Sequence, residues 1–156
     1  MRFTAKFGHL EYLPELKQGE IIKQGEKIGR IGNTGHSFGT HLHIDLINGI
    51  RGSVWRLSEI DPSKDHAKQS AYFVIDNQLF KTEPEITTYY CDPNYFDKNG
   101  KLILHPAYDV IPKNKDPEYF DIYWPRSMPG QVIKIGQDFD DIKKGYGYYC
   151  LIVFDI

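Results

Sequence analysis

The sequence has few cysteines, no long apolar run and almost no excess of charge of either sign. Its two cysteines, Cys91 and Cys150, form no C-x-x-C motif, and their spacing leaves open whether they are buried free thiols or a disulfide. No apolar run approaches the roughly 20 residues that a membrane-spanning helix needs. A net charge of −2 gives no electrostatic basis for binding nucleic acid or an anionic membrane, so we expect neither as a partner.

Helical periodicity is also weak, and apolar residues recur mostly with the period of two that is typical of strands. Residues 1–7 alternate apolar and polar side chains, which predicts a half-buried strand. Helix is limited to a turn near 14–16 and a short segment within 58–70. Further strands are predicted at 71–75, 86–90, 102–104, 121–124, 131–135 and 148–156. The length of 156 residues and this pattern predict one all-β domain, mainly antiparallel sheet with short helical turns.

The stretch 39–47, GTHLHIDLI, places two histidines and an aspartate on one face of a predicted strand. Because strand side chains alternate between faces, His41, His43 and Asp45 share one side, and the aliphatic residues between them face a core on the other. Both rings can reach one cavity, which fits either a metal site or a pair of structural histidines. We expect Asp45 to be a solvated charge rather than a group that supports the histidines.

Two further stretches contribute a histidine and a histidine–aspartate pair. In HPAYDVIP, residues 105–112, a proline follows His105 and disfavours helix there, so the chain must bend to bring His105 and Asp109 together. An imidazole and a carboxylate suit zinc, which accepts N and O donors at about 2.0–2.2 Å. His9 follows the predicted strand 1–7 where the chain enters a turn, a position that an ordinary surface histidine also fits.

Together these stretches resemble the LytM/lysostaphin-type zinc endopeptidases, which cut peptide cross-links in bacterial cell walls. The first half of that family's motif set is H-x-x-x-D, a G-x-V strand and GYG-x-Y, and here the counterparts are HPAYDVIP, YWPRSMPGQVIKIG and KGYGYYCLIVFDI. The second half is an aromatic-x-H-L, a glycine-rich stretch and H-L-H, and the counterparts are FGHL, IIKQGEKIGRIGNTGHSFG and THLHIDL. The resemblance implies a LytM/lysostaphin-like peptidase fold.

The two halves of this motif set stand in reversed order. Residues 1–47 carry the C-terminal half, residues 86–156 carry the N-terminal half, and 48–85 form a connecting segment. The sequence therefore resembles a circularly permuted family domain, and we expect residues 1–156 to form a single peptidase domain with permuted strand order.

The resemblance also assigns roles to individual residues. It implies one Zn²⁺ per site, held by His105, Asp109 and His43, with His41 and His9 as the two catalytic histidines. Three ligands leave a position for water, whose pKa zinc lowers toward about 7. That zinc-bound water is the implied nucleophile, and a histidine is its general base.

The implied substrates are stem or cross-bridge peptides of peptidoglycan, with glycyl–glycine and D-alanyl–diaminopimelate bonds both compatible. Tyr95 lies near the position of a family tyrosine that helps to hold the oxyanion. The resemblance therefore implies a substrate-binding role for Tyr95, but this match is weaker than those of the histidines and Asp109. The first ten residues lack the apolar h-region of a signal peptide. With an implied wall-cutting activity, this favours a phage tail protein or a released lytic enzyme.

Other interpretations stay open at this point. The chain is alternatively a non-catalytic, peptidase-like module that binds the wall or has a structural role, or a fragment of a tandem array whose site assembles between chains. A biotin or lipoyl carrier hairpin is disfavoured, because Lys23 and Lys27 lie in polar repeats and not beside small or apolar residues. The oligomeric state is not predicted.

Overall fold

A computed structural model describes residues 2–35, 37, 39–55, 77–88, 107–139 and 145–155 of the chain. Three predicted elements lie outside these ranges, namely the strands at 71–75 and 102–104 and the short helix within 58–70. The predicted strand 86–90 is described only as far as residue 88, where it forms the end of a longer strand.

The described residues form two antiparallel sheets. The larger sheet has seven strands in the order β2-β8-β9-β1-β4-β6-β5, and the smaller sheet pairs β3 with β7. The strands are β1 (Arg2–Leu10), β2 (Ile21–Ile22), β3 (Lys27–Arg30), β4 (Leu42–Asn48), β5 (Pro84–Thr88), β6 (Tyr108–Pro112), β7 (Asp121–Tyr123), β8 (Gly130–Asp138) and β9 (Gly147–Asp155). A 3₁₀ turn spans Pro117–Tyr119, with Asp116 capping it. The predicted all-β class is confirmed.

The main hydrophobic core lies on one face of the large sheet. Its members include Phe3, Ala5 and Phe7 of β1, whose alternation in sequence predicted this face. The indole of Trp124 packs edge-on against the rings of Phe7 and Phe154, with ring centroids 6.5 and 5.2 Å apart. Burial of these rings supplies much of the apolar area that the fold removes from water.

The opposite face of β1 is buried too, so the expectation of a half-buried strand is wrong. Thr4 and Lys6 are both completely inaccessible to solvent. A second cluster that includes Trp55, Tyr146 and Leu151 covers this face. A strand buried on both faces is usually apolar on both, so a lysine at this position needs a specific partner.

The pairing of β4 with its two neighbours positions the polar side chains. On one side, Lys6 of β1 lies opposite Asp45 of β4. On the other side, Asp109 of β6 lies opposite His43 of β4. Residues directly opposite each other in an antiparallel pair lie on the same face of the sheet, so the register brings these four side chains to one face.

Cys150 is a free, buried thiol in β9, and burial raises its pKa. Cys91 lies outside the described residues. Within the described part of the chain, none of the helical segments has the length and hydropathy needed to traverse a bilayer.

Gly32 allows its backbone to lie close to that of Glu11, near the start of β4. A Cβ atom at Gly32 would lie 2.5 Å from both Cα and N of Glu11. The Gly32 carbonyl accepts a hydrogen bond of 3.1 Å from the backbone N–H of His41. The approach therefore ties the loop that leads to His41 against the end of β1.

We expect Gly32→Ala to lower the free energy of unfolding by about 1–3 kcal/mol, because the new methyl group overlaps the backbone of Glu11. Gly39→Ala is the matched control in the same loop, since nothing lies within 4 Å of a Cβ there, and it should stay within about 0.5 kcal/mol. Urea unfolding of both variants measures the difference. Equal stabilities would contradict the packing described for Gly32.

Candidate active site

Four side chains from three separate stretches of the sequence meet beside the ends of β1, β4 and β6. We call His9, His41, His43 and Asp109 the histidine–aspartate cluster. The ring of His9 lies with its centroid 5.0 Å from that of His41 and 5.9 Å from that of His43. Asp109 Oδ1 lies 3.4 Å from His43 Nδ1 and 3.6 Å from His41 Nε2. The structure thus brings together four of the five residues for which the sequence predicts a zinc-binding or catalytic role.

His43 lies between two carboxylates. Its Nε2 is 2.8 Å from Asp45 Oδ2, and its Nδ1 is 3.4 Å from Asp109 Oδ1. Burial disfavours the charged ring, but the hydrogen bonds with Asp109 and Asp45 outweigh burial and raise the pKa of His43. A neutral ring has only one N–H to share between these two acceptors.

Asp45 is not a solvated charge, and that prediction is wrong. Its carboxylate is fully buried, and its Oδ2 lies 3.2 Å from Nζ of the equally buried Lys6. Nζ of Lys6 also donates to the Trp55 carbonyl at 2.9 Å and lies 3.4 Å from the ring centroid of Tyr146. The two opposite charges and these contacts make burial of the pair tolerable.

His9 is held in an unusual backbone conformation. Its φ of 61° is in the left-handed region, which non-glycine residues seldom adopt, and the β1–β9 register shifts between Phe7 and Leu10. Its backbone N–H donates to the Tyr146 carbonyl at 2.6 Å, and its Nδ1 lies 2.6 Å from the Thr34 carbonyl oxygen. Because a carbonyl oxygen only accepts, Nδ1 carries the proton and the lone pair is on Nε2.

The same ring stays neutral over a wide pH range. Burial, followed by the neighbouring His43 and His41, lowers the pKa of His9 to about 3. A neutral ring with a lone pair on Nε2 can accept a hydrogen bond from water or from a substrate amide without first losing a proton.

His41 is oriented by its own loop. Its Nδ1 lies 2.7 Å from the Gly39 carbonyl oxygen, and Ser37 Oγ is 3.2 Å from the same nitrogen. The Gly39 N–H in turn donates to Asn33 Oδ1 at 2.8 Å, which closes the loop on itself. Nδ1 therefore donates to Gly39, and the lone pair of Nε2 points to the side where Asp109 lies.

The remaining predicted site residues, His105 and Tyr95, lie outside the described residues. Within the described ranges, no three His, Cys, Asp or Glu side chains together form a metal-binding group. His43 and Asp109 nevertheless supply one imidazole and one carboxylate at adjacent positions, and this donor chemistry fits zinc. A third donor at residue 105 would come from the chain just before β6.

Three residues that support the cluster were not predicted from the sequence. Tyr146 lies with its ring centroid 5.0 Å from that of His43, Thr34 fixes the ring of His9, and Lys6 pairs with Asp45. Lys6 takes a polar position in the alternation of residues 1–7, so the sequence pattern did not indicate its burial. The contacts of Thr34 and Tyr146 depend on tertiary packing and leave no pattern in the sequence.

Two comparisons with known proteins bear on this site. Residues 2–54 match peptidase family M23. A segment of 49 residues, 31% of this chain, is 45% identical to peptidoglycan DD-endopeptidase ShyC of Vibrio cholerae serotype O1. That segment spans only 11% of the relative's length. No solved structure matches the chain significantly.

The family match contains three of the four members of the histidine–aspartate cluster, namely His9, His41 and His43. The predominantly antiparallel architecture agrees with an M23 peptidase-like fold. The resemblance noted in the sequence is thereby confirmed: this chain is similar to the LytM-type peptidoglycan hydrolases of peptidase family M23, the family that its residues 2–54 match.

Proposed function

We propose that this chain is a zinc-dependent endopeptidase that hydrolyses peptide cross-links of peptidoglycan. The observation that carries the proposal is the convergence of His9 at the end of β1, His41 and His43 at the start of β4, and Asp109 of β6. The M23 match over residues 2–54 supports peptidase activity, and the name of the ShyC relative supports peptidoglycan as the substrate class. We propose both the glycyl–glycine and the D-alanyl–diaminopimelate cross-link as candidate bonds.

In this proposal Asp109 Oδ1 and His43 Nδ1 hold zinc together with His105. With Nε2–H donating to Asp45, the lone pair of Nδ1 faces the side of Asp109 and could bind a metal there. The bound metal would supply Lewis-acid polarisation of the scissile carbonyl and a lowered pKa for water. His43 is buried and Asp109 is partly buried, so the low effective dielectric constant would strengthen the attraction between the carboxylate and a bound cation.

His41 and His9 have different roles in the proposal. His41 is partly exposed, and its Nε2 would accept the proton of the attacking water and return it to the leaving amine. The hydrogen bond from Nδ1 to the Gly39 carbonyl would hold the ring in place for both transfers. His9 is buried and neutral with its lone pair on Nε2, so we assign it to accepting a hydrogen bond that orients water or a substrate amide.

We also propose that the domain is a circular permutant whose site forms within one chain. Its described members converge inside a single chain, which disfavours a site assembled between members of an array. Strands β1 and β9 pair side by side, with Arg2 opposite Asp155 and their side chains 3.3 Å apart. A hairpin turn would therefore suffice to restore the family order of motifs. The location of the protein stays a prediction.

We expect His41→Ala to lower hydrolysis of purified peptidoglycan by at least about 100-fold, because the proton-transfer group is lost. Zinc content should stay at the wild-type level, since His41 is not a proposed ligand. Mass analysis of released fragments and metal analysis measure the two effects. His36→Ala is the matched control, because no role is assigned to His36, and its activity should stay near wild type. Full activity of His41→Ala would remove the assignment.

We expect the purified chain to hold about one zinc, and Asp109→Ala and His105→Ala to lose it, because each removes one of three ligands. Asp155→Asn is a control that alters a half-exposed carboxylate on β9, and it should keep its zinc. Metal content after dialysis measures the outcome. Wild-type zinc in both ligand variants would contradict the proposed ligand set.

We expect a relinked variant to fold and to keep zinc and activity. In it a turn of about two to five residues joins Asp155 to Arg2, and new ends open between Trp55 and Asn77. The reason is that the join follows an existing antiparallel pair. Thermal unfolding, zinc content and peptidoglycan digestion are compared with the original order. An unfolded or metal-free product would argue against permutation.

A further inference from the structure

Lys6, Asp45, His43 and Asp109 form a continuous line across three neighbouring strands. Nζ of Lys6 lies 3.2 Å from Asp45 Oδ2, and the same oxygen lies 2.8 Å from His43 Nε2. Nδ1 on the other side of the imidazole lies 3.4 Å from Asp109 Oδ1. All four are placed by the register of β4 with β1 and β6, so their order is a property of the sheet.

The two carboxylates compete for the single N–H of a neutral His43. If the proton is on Nε2, it is donated to Asp45, and the lone pair of Nδ1 faces Asp109. If the proton is on Nδ1, it is donated to Asp109, and neither atom is then available to a cation. The shorter distance to Asp45 favours the first arrangement.

Lys6 determines which carboxylate is the better acceptor. Its ammonium group is fully buried and contacts Asp45, the Trp55 carbonyl, and the rings of Trp55 and Tyr146. It therefore cannot turn to solvent, and it holds one carboxylate oxygen at a fixed position beside His43. Asp109, by contrast, is partly exposed.

Stability alone does not account for this ion pair. A buried pair seldom contributes net stability, because the desolvation of both charges offsets their attraction, and apolar residues of similar volume often replace it without loss. Core positions on β1 and β4 would accept such apolar residues, since the second cluster around Trp55 and Tyr146 is already hydrophobic. A lysine and an aspartate here therefore indicate a role in orienting His43.

We propose that Lys6 and Asp45 are a positioning pair that fixes the Nε2–H tautomer and the ring orientation of His43, so that Nδ1 and Asp109 face one cation together. The inference rests on the proposed zinc-dependent function for its purpose. The tautomer and ring orientation of His43 are properties of the metal-free protein, so they can be measured without metal or substrate.

The first test measures the tautomer of His43 directly in the metal-free chain. Two-bond ¹H–¹⁵N spectra of the ¹⁵N-histidine-labelled protein distinguish Nε2–H from Nδ1–H in the neutral ring, so they are recorded above the His43 titration midpoint found in the same pH series. Wild type should show Nε2–H. The double variant Lys6→Met/Asp45→Leu removes the ion pair while keeping similar volumes, and the proton should move to Nδ1 to meet Asp109.

The second test measures zinc affinity by competition with a chelator. The double variant should bind zinc about 10–100-fold more weakly, which is typical for loss of a group that supports a metal ligand. Lys27→Met/Asp121→Leu is the matched control, because it removes another lysine–aspartate contact, of 3.3 Å between β3 and β7, and affinity should not change. Thermal unfolding of the metal-free proteins separates loss of the fold from loss of positioning.

Asp45→Asn provides a second variant should the double variant fail to fold. It keeps the shape and an acceptor oxygen but removes the charge, so the tautomer and the affinity should shift in the same direction by a smaller amount. An Nδ1–H tautomer in wild type, or unchanged tautomer and affinity in the folded variants, would overturn the inference. If wild type binds no zinc but its Nε2–H tautomer changes to Nδ1–H in the variants, the result would contradict the proposed function and support the positioning pair.

Discussion

The antiparallel register of β4 with β1 and β6 is the constraint on which the site depends. It places Lys6 opposite Asp45 and His43 opposite Asp109, and so orders two charged pairs along one face of the sheet. A slip of β4 by one residue would exchange its two faces, turning His43 into the aliphatic core and Ile44 toward the cluster. The energetic cost of such a slip makes the site as well specified as the core itself.

Burial of charge and burial of apolar surface act together in this fold. The core under Phe3, Phe7 and Trp124 stabilises the large sheet from one side. The second cluster around Trp55 and Tyr146 excludes water from Lys6 and Asp45 on the other side. In a medium of low effective dielectric constant their attraction is stronger, so the aromatic cover and the ion pair confine each other.

Local patterning in the sequence predicted most of the strands and half of the site. The period of two in residues 1–7 and 131–135 predicted β1 and β8, and the H-x-H spacing predicted that His41 and His43 share a face. Motif resemblance singled out Asp109 as well as His9, and the structure brings both to the same histidines.

The failures have a common physical cause. Alternation shows which side chains share a face, but not whether a second layer covers that face. Asp45 was predicted to be solvated because nothing in its own strand indicates that Trp55 and Tyr146 pack above it. Burial of the second face comes from contacts between residues far apart in sequence, and a pattern in one segment contains no information on them.

At His9 the alternation of side chains between the two faces of β1 is interrupted. By strict alternation His9 would follow Phe3, Ala5 and Phe7 into the aliphatic core, and its left-handed backbone turns it instead toward the ring of Tyr146. Leu10 then returns to the core, so the strand continues beyond the irregularity. Valine or isoleucine, for which this backbone conformation is strongly disfavoured, would straighten the strand and return position 9 to the hydrophobic side. The backbone conformation of one residue thus decides whether this end of the sheet presents two imidazoles or three.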